Sequence, residues 1–310
     1  MLRGDRVALA KLISRIENNA SDVASIMAAI YPHVGRAKTI GVTGPPGAGK
    51  STLVDRLVER SRKRGESVGV IAVDPSSPFS GGAILGDRIR MQDHCLDPEV
   101  FIRSLSTRGR RGGLARASRQ VAHLLDAFGK DTIFIETVGV GQTELDIMEL
   151  ARTVLVVLVP EAGDTVQVMK AGLLEIAHVF IVNKADRDGA MRMQTELEMM
   201  LQLHPEAAWT VPVLLTKAAH DQGIDAVMEA VERHDTFQTS HAVTQHAPDH
   251  REHEFLEVLG EELRARVDRI GTHRQDLIER VRRGDIDPYS AALEILQDQP
   301  ALTKILGADQ

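Results

Sequence analysis

The sequence predicts an α/β fold with a mostly parallel central sheet. From residue 38 onward, short apolar segments alternate with helical patterns, as strands and crossover helices do in such sheets. One segment, residues 153–159, is apolar throughout, which is typical of a central strand covered on both faces. The candidate strands are 38–43, 68–73, 99–102, 131–136, 153–159, 178–182 and 211–214, and the clearest helical patterns are 50–64, 113–128, 164–176 and 188–203.

The segments on either side of this sheet are predicted to be helical. Residues 2–31 carry apolar side chains at helical spacing, which Asn18 and Asn19 break into two helices. A polar, aperiodic stretch near residue 240 indicates a linker, and a charged helix with a narrow apolar seam follows it. We therefore expect an N-terminal helical segment (1–36), a domain built on the parallel sheet (37–235), a linker (236–250) and a C-terminal arm (251–310). The seam either folds back on the chain or, as we favour, meets a second copy.

Composition excludes several classes of function. The chain of 310 residues has a net charge of −7 and is only 3% aromatic, so neither a basic nucleic-acid surface nor a base-stacking platform is expected. Its single cysteine, Cys95, predicts a reducing compartment, and we expect the cytoplasm. We find no secretory signal and no apolar run long enough to span a membrane.

The nine residues after the first strand carry a phosphate-binding motif. They read G-P-P-G-A-G-K-S-T and match G-x-x-x-x-G-K-[ST], between an apolar strand and a helix. In a P-loop of this kind, backbone amides cradle phosphates, Lys50 reaches the β- and γ-phosphates, and the Ser51 hydroxyl binds Mg²⁺. The predicted nucleotide contacts are Gly44, Pro45, Pro46, Gly47, Ala48, Gly49, Lys50, Ser51 and Thr52.

A second motif predicts the base. Asn183, Lys184 and Asp186 form N-K-x-D directly after the strand 178–182. The Asp186 carboxylate can accept hydrogen bonds from guanine N1–H and its exocyclic amine, whereas adenine would leave it unpaired. Lys184 would cover the base and Asn183 would brace the loop. Weaker evidence places the backbone amides of residues 216–218 (Thr216, Lys217 and Ala218) near the guanine O6.

Acidic residues at strand ends predict the metal and switch chemistry. The strand 131–136 ends in Glu136, and Gly139 follows three residues later, so the acid would hold Mg²⁺ through water and the glycine amide would meet the γ-phosphate. Asp74 ends another strand, and Asp87 follows a Ser/Gly-rich loop; both suit a cation that prefers oxygen ligands. Gln142 is a candidate for orienting the attacking water, although an ordinary loop role is as plausible.

These motifs together resemble the MeaB/ArgK GTPases, relatives of the human methylmalonic aciduria type A protein. The resemblance rests on residues 44–52, 73–91, 107–115, 136–144, 160–167 and 183–186, and it runs to residues 286–292. It implies a P-loop GTPase fold with a slow intrinsic activity that uses GTP and Mg²⁺. By matching position, it implies catalytic or metal-binding roles for Lys50, Ser51, Asp74, Asp87 and Glu136.

The resemblance also implies a partner. Family members escort an adenosylcobalamin-dependent acyl-CoA mutase, gate its cofactor loading and protect it from inactivation, and the mutase stimulates the GTPase. Residues 160–170 match the family's mobile coupling loop, and the C-terminal helices match its dimerisation arm. Glu161, Arg110 and Arg111, and residues 216–218 depart from the usual pattern, so the mutase could act on methylmalonyl-, isobutyryl- or 2-hydroxyisobutyryl-CoA.

Three alternatives remain open on sequence grounds. A nickel-enzyme maturation GTPase is suggested by His234, His241, His246, His250 and His253, although irregular spacing favours a solvated linker. A transport-system kinase or ATPase would use ATP, which Asp186 argues against. A scaffold without enzymatic activity is disfavoured by the intact Lys50, Ser51 and Glu136.

Overall fold

The computed structural model describes residues 1–74, 94, 96–106, 113–137, 146–160, 172–203, 208–244, 250–267, 274–300 and 302–303. It divides into two compact units, Met1–Thr244 and Gln245–Gln310. The first unit contains the sheet and all the motifs described above. The described part of the second consists of helices joined by short non-helical segments such as residues 284–287.

In the part of the chain that the structure describes, the sheet has seven strands, all parallel. They are β1 (Lys38–Thr43), β2 (Val68–Asp74), β3 (Val100–Ser106), β4 (Thr132–Thr137), β5 (Thr153–Leu158), β6 (Val179–Val182) and β7 (Val213–Leu215). Their order across the sheet is β3-β2-β4-β1-β5-β6-β7. The predicted α/β fold with a parallel sheet is therefore confirmed, and all seven strands lie where the sequence placed them to within a few residues.

Ten helices accompany these strands in the described part of the chain. In the first unit they are α1 (Arg6–Glu17), α2 (Val23–Ile30), α3 (Lys50–Lys63), α4 (Gly113–Ala127), α5 (Leu173–Ile176), α6 (Ala190–Gln202) and α7 (Ile224–Thr244). In the second unit they are α8 (His250–Val267), α9 (Gln275–Arg283) and α10 (Pro288–Gln297). Short 3-10 turns cover Tyr31–His33, Asp146–Glu149 and Ala218–His220.

Helices cover both faces of the sheet. The helix α3 buries Leu53, Val54, Leu57 and Val58 against one face, where it shares a hydrophobic core with α7. On the other face, α1, α2 and α4 cover β2, β3 and β4, and α5 and α6 cover β5 and β6. Because strands such as β5 are buried on both faces, they carry the continuous apolar sequence expected of central parallel strands.

The N-terminal helices belong to this core. Leu9, Ile13 and Ile16 of α1 are buried in the same cluster as residues of α4. Two further contacts hold the segment. Arg103 on β3 donates hydrogen bonds to Ser14 and Glu17, and the Asp126 carboxylate accepts from the backbone amides of residues 35–37. Within residues 1–36, α1 and α2 thus pack on α4 and the sheet.

The predicted linker differs from the structure in its first half. Helix α7 continues to Thr244, so residues 236–244 are helical, and residues 245–249 lie outside the described residues. At the start of this extension, His234 and Phe237 pack against Trp209, with ring centroids 4.9 and 5.2 Å from the indole. Such long-range packing leaves no mark in the local sequence pattern.

Local capping signals separate two helices of the second unit. Gly284 ends α9 in a left-handed conformation with φ of 79°, which glycine adopts without a Cβ penalty. The Asp287 side chain then caps α10 by accepting from the amides of Tyr289 and Ser290. The predicted seam on α8 is exposed at Phe255, Leu256, Leu259, Leu263 and Val267, while Ile270 lies outside the described residues.

Candidate nucleotide site

The P-loop requires glycine at defined positions. Gly44, Gly47 and Gly49 all have positive φ angles, of 136°, 77° and 88°. A Cβ on Gly44 would lie 2.0 Å from the backbone oxygen of Val157, and one on Gly49 would lie 2.4 Å from the Asn183 side-chain nitrogen. The loop therefore runs directly against β5 and against the residue that begins the N-K-x-D motif. Only a chain without side chains at these points can make this approach.

Lys50 is buried at the start of α3. Its Nζ donates to the carbonyl oxygens of Gly44 and Pro45, at 2.7 and 2.9 Å, and only 6% of the residue is exposed. The Lys50 ammonium group is thus held inside the P-loop, which leads into the N-terminus of α3. This arrangement suits an anion, because loop amides, helix dipole and ammonium all present positive charge.

Ser51 and Glu136 meet beside the loop. The Ser51 hydroxyl donates to Oε1 of Glu136 at 2.6 Å, and both residues are buried. Glu136 reaches this position because β4 pairs in parallel with β1, with Val42 opposite Glu136. Near them, Thr137 donates to the Thr43 hydroxyl at 2.9 Å. A hydroxyl and a carboxylate in contact are hard oxygen donors, the ligand type that Mg²⁺ prefers, so these two residues fit the predicted metal role.

The other predicted metal and switch residues are described only in part. Asp74 is the last residue of β2 and lies in register with Ser106 on β3; its side chain is not described. Asp87, Gly139 and Gln142 lie outside the described residues, as do Arg110, Arg111 and most of the coupling loop predicted at 160–170. Within the described ranges, no group of three or more His, Cys, Asp or Glu side chains could hold a metal ion.

Asn183 connects the phosphate loop to the base-side loop. Its Nδ2 donates to the backbone oxygen of Ala48 at 2.8 Å. Its Oδ1 accepts from the Thr216 hydroxyl at 3.0 Å and from the Ala218 amide at 3.1 Å. The side chain is 3% exposed, so all three contacts are shielded from water. One amide therefore fixes the P-loop and the segment 216–218 at a set separation.

The remaining N-K-x-D residues are more exposed. Lys184 adopts a left-handed conformation with φ of 55°, and its Nζ donates to the Gly47 oxygen at 2.7 Å. Its stem therefore crosses from β6 to the P-loop. Asp186 is exposed, and none of the described residues donates a hydrogen bond to its carboxylate. Its role as the guanine reader stays a prediction.

The backbone amides of residues 216–218 are engaged within the protein. The Thr216 amide donates to the Val182 oxygen, that of Lys217 to the Gln222 oxygen, and that of Ala218 to Asn183. A contact from these amides to guanine O6 therefore requires a shared hydrogen bond. That contact also stays a prediction.

The P-loop, Glu136 and Lys184 line one cleft. It has a volume of about 360 Å³ and is lined by Pro46, Gly47, Gly49, Lys50, Ser51, Thr52, Ala72, Val73, Glu136 and Lys184. Eight of these ten lining residues were predicted from the sequence. Ala72 and Val73 were not, because they are ordinary apolar strand residues. They reach the cleft since β2 pairs with β4 and sets Ala72 opposite Glu136, a neighbour relation that local sequence does not reveal.

The histidine prediction is partly wrong. His234 was expected in a solvated linker, but it is fully buried. Its Nδ1 lies 2.9 Å from the Thr153 hydroxyl, and its ring lies 4.1 Å from that of His178. The pair sits at the start of β5 and β6, whereas the P-loop and N-K-x-D follow the carboxyl ends of their strands. The side chains of His241, His246, His250 and His253 lie outside the described residues.

The parallel sheet, the glycine-dependent loop after β1 and the buried lysine and serine at the start of α3 define a P-loop NTPase. A solved structure titled as a LAO/AO transport system kinase has the same fold; it covers 94% of this chain and 97% of its own, with a TM-score of 0.66 and 24% identity.

Sequence comparison gives the family. The model of the methylmalonyl Co-A mutase-associated GTPase MeaB matches residues 9–271. A provisionally named GTPase of Pyrococcus horikoshii is 46% identical, over 95% of both chains. The GTPase ArgK of Escherichia coli is 34% identical, over 74% of this chain and 72% of its own. The methylmalonic aciduria type A homolog of the mouse, named as mitochondrial, is 32% identical over 74% of this chain and 60% of its own. The chain belongs to the MeaB family of GTPases, and the family resemblance predicted from the motifs is confirmed.

Family membership implies that the site takes a guanine nucleotide. Across the described ranges, no helix has the length and apolar character needed to cross a membrane.

Proposed function

We propose that this protein hydrolyses GTP with the help of Mg²⁺ and acts as a chaperone of an adenosylcobalamin-dependent acyl-CoA mutase. The observation that carries the GTPase proposal is the Asn183 contact with Ala48. It supports the proposal because it connects the phosphate-binding motif with the predicted guanine motif, which is far away in sequence. A ligand that engaged both motifs would combine phosphates with a base.

The chain's own residues supply defined parts of the reaction. Lys50 and the loop amides hold the phosphates and compensate the charge that develops on them. Asp186 selects guanine over adenine. Ser51 and Glu136 are the described residues that would hold Mg²⁺, which neutralises phosphate charge when bound. Asp87 and Asp74 are proposed to complete the acidic set, and Gln142 is a candidate for orienting the attacking water.

The chaperone role is supported by the family description and by the resemblance of residues 160–170 to the family's coupling loop. The sequence also lacks the D-x-H-x-x-G motif of cobalamin-binding mutases, so the chain is proposed to serve such an enzyme rather than to be one. The proposed assembly is a homodimer in the cytoplasm that binds the mutase. GTP hydrolysis would time the loading of the mutase cofactor.

Hydrolysis assays test the proposed activity. Wild-type protein with Mg²⁺ should release phosphate from GTP and not from ATP, and Lys50→Ala should lower the GTP rate by about a hundredfold or more, as loss of a charge-stabilising group does. Lys11→Ala, at an exposed position on α1, is the control and should leave the rate unchanged. Equal turnover of ATP, or full activity in Lys50→Ala, would contradict the proposal.

A second assay tests the partner. Adding purified methylmalonyl-CoA mutase, with and without adenosylcobalamin, should raise the GTPase rate, and the two proteins should co-elute on size-exclusion chromatography with a non-hydrolysable GTP analogue. A related isobutyryl-CoA mutase serves as the comparison, so that the more strongly stimulating enzyme identifies the partner. Stimulation by neither would contradict the chaperone proposal while leaving the GTPase intact.

A further inference from the structure

Arg60 binds two carboxylates on the base side of the site. It lies on α3, the helix that begins at Lys50, and its side chain is 14% exposed. Its guanidinium donates to Asp221 Oδ2 and to Asp225 Oδ1, both at 2.8 Å. The two hydrogen bonds raise the pKa of Arg60 above its already high value, so the guanidinium stays charged. The helix that carries the phosphate loop is thereby attached to two other elements.

Asp221 belongs to a closed loop after β7. It ends the 3-10 turn Ala218–His220 and has a φ of 57°, a left-handed conformation that Asp and Asn tolerate better than most residues. Its amide donates to Ala218 at 3.2 Å, and Lys217 and Gln222 exchange backbone hydrogen bonds. Residues 216–222 therefore form a compact unit, which we call the base-side loop. Asp225, in contrast, lies in the first turn of α7.

The base-side loop is held at two points. On its inner side, Thr216 and Ala218 donate to Asn183, which in turn donates to Ala48 in the P-loop. On its outer side, Asp221 accepts from Arg60. Because the P-loop leads directly into α3, these contacts close a ring that runs through both halves of the site. If the Arg60–Asp221 contact is lost, Asn183 is the remaining side chain, among the described residues, that connects the base-side loop to the P-loop.

We propose that Arg60 is a positioning residue for the base subsite: through Asp221 it holds the base-side loop at a fixed distance from the P-loop, so that one nucleotide engages both. The inference rests on the proposed guanine-nucleotide site. The inference goes further than that site, because it gives a role in base binding to a residue, Arg60, that touches neither the P-loop nor N-K-x-D. Removing Arg60 should weaken recognition of the nucleoside and leave recognition of phosphate unchanged.

The chain offers a matched control for this claim. Arg64 caps the C-terminal end of α3, one turn beyond Arg60, and forms an ion pair with Glu232 on α7. It joins the same two helices, but it does not contact the base-side loop. A purely structural effect of losing an α3–α7 ion pair would appear in Arg64 variants as well. An effect through the base-side loop would be confined to Arg60.

The experiment compares two ligands across wild type and five variants. Dissociation constants are measured by calorimetry for GDP and, by competition, for inorganic pyrophosphate, which has no base. Methionine is the substitution for both arginines because it keeps an unbranched apolar stem without the charge. Arg60→Met should weaken GDP binding about tenfold, as expected for a coupled network, with pyrophosphate unchanged. Arg64→Met should leave both ligands unchanged.

The partner carboxylates are tested separately. Asp221→Asn keeps the left-handed conformation and removes the charge, so it should reproduce the GDP loss. Asp225→Asn should have a smaller effect because the contact to the base-side loop remains. Arg60→Lys should recover part of the GDP affinity, since one ammonium can pair with Asp221. Asp221→Asn also keeps the test valid if Arg60→Met fails to fold.

Three results would overturn the inference: unchanged GDP affinity in Arg60→Met and Asp221→Asn, equal weakening of GDP and pyrophosphate, or an equal GDP loss in Arg64→Met. A wild-type protein that binds pyrophosphate but not GDP would instead refute the proposed guanine site. The two failures are therefore distinguishable in the same set of titrations.

Discussion

At the scale of single residues, the P-loop glycines show how close contact fixes residue type. Gly44 faces the Val157 carbonyl and Gly49 faces Asn183, whereas a Cβ on Gly47 would meet no heavy atom within 4 Å. All three share a positive φ. Within this one motif, the residue type at Gly47 is restricted by backbone conformation alone. At Gly44 and Gly49 it is restricted by backbone conformation and by the lack of space for a Cβ.

This difference predicts unequal costs for alanine. Gly47→Ala should lower the free energy of unfolding by about 1–2 kcal/mol, because only the left-handed backbone is penalised. Gly44→Ala should lower it by about 3 kcal/mol or more, because the chain must also move away from β5. Urea unfolding of both variants without nucleotide measures the two costs. Equal losses would show that the approach to Val157 is not a constraint.

Site residues could be predicted from the sequence where the chemistry of nucleotide binding requires a particular residue type. The motifs identified Lys50, Ser51, Glu136 and Asn183, whose side chains make the contacts described above. Arg60 was not found, because an arginine on a helix surface has no distinguishing local pattern. Its partners Asp221 and Asp225 lie more than 160 residues further along the chain.

At the scale of elements, the histidine pair joins α7 to the sheet. His178 accepts from the Val154 amide at 2.9 Å, and His234 packs on His178 and reaches Thr153. Burial lowers the pKa of His178 to about 4 and that of His234 to about 3. Both rings are therefore neutral in the folded protein at pH 5, whereas they become protonated in the unfolded chain below about pH 6.5.

This shift predicts acid sensitivity. Stability is lost as pH falls below about 6.5 because the unfolded chain binds more protons, and each histidine should cost about 2 kcal/mol of unfolding free energy between pH 7.5 and 5. His94, whose pKa is raised by its hydrogen bond to Asp55, contributes in the opposite direction. Substitution of His234 therefore separates the acid sensitivity of the buried histidines from the opposite contribution of His94.

Urea unfolding at pH 7.5 and 5 measures the effect. His234→Gln cannot titrate at this position, so it should lose less stability on acidification than wild type. The exposed His33 provides the control, and His33→Gln should keep the wild-type difference. If His234→Gln retains the full loss, the acid sensitivity arises elsewhere.

Strands and helices could be predicted where the local sequence pattern of a segment indicates its structure strongly. The strands were found because they are continuous apolar runs, many of them β-branched. The extension of α7 to Thr244 was missed because residues 236–244 are mostly polar. Within this segment Phe237 packs on Trp209, and that contact depends on the tertiary fold.

At the scale of the whole molecule, the exposed seam on α8 bears on assembly. Five apolar side chains of this helix are between 41% and 61% exposed. An apolar stripe of this length is typical of a surface that another chain covers. The proposed homodimer would bury it, as the family resemblance implies.

Charged substitutions on the seam test this assembly. The double variant Leu259→Glu, Leu263→Glu should shift the protein from dimer to monomer in analytical ultracentrifugation, because two buried carboxylates would lack partners. Arg264→Glu changes charge at an exposed neighbouring position and should leave the mass unchanged. A wild-type monomer, or a dimer that survives the double variant, would contradict the proposed arm.

The fold class could be predicted from the sequence, but the arrangement of its strands and helices could not. Alternating strands and helices indicated the parallel sheet. The strand order and the packing of α1 and α2 on α4 were not predicted, because they depend on long-range contacts such as Asp126 with the amides of residues 35–37. Periodicity within one segment carries no information about such partners.

Asp186 is proposed to make this P-loop protein specific for guanine. The most direct test titrates GDP and xanthosine diphosphate against wild type, Asp186→Asn and the exposed neighbour variant Asp188→Asn. Asparagine can donate to the xanthine C2 oxygen while accepting from N1–H, so Asp186→Asn should lose GDP affinity by about a hundredfold and gain xanthosine diphosphate binding, with Asp188→Asn like wild type. If Asp186→Asn binds GDP as tightly as wild type, Asp186 does not read the base and the claim is wrong.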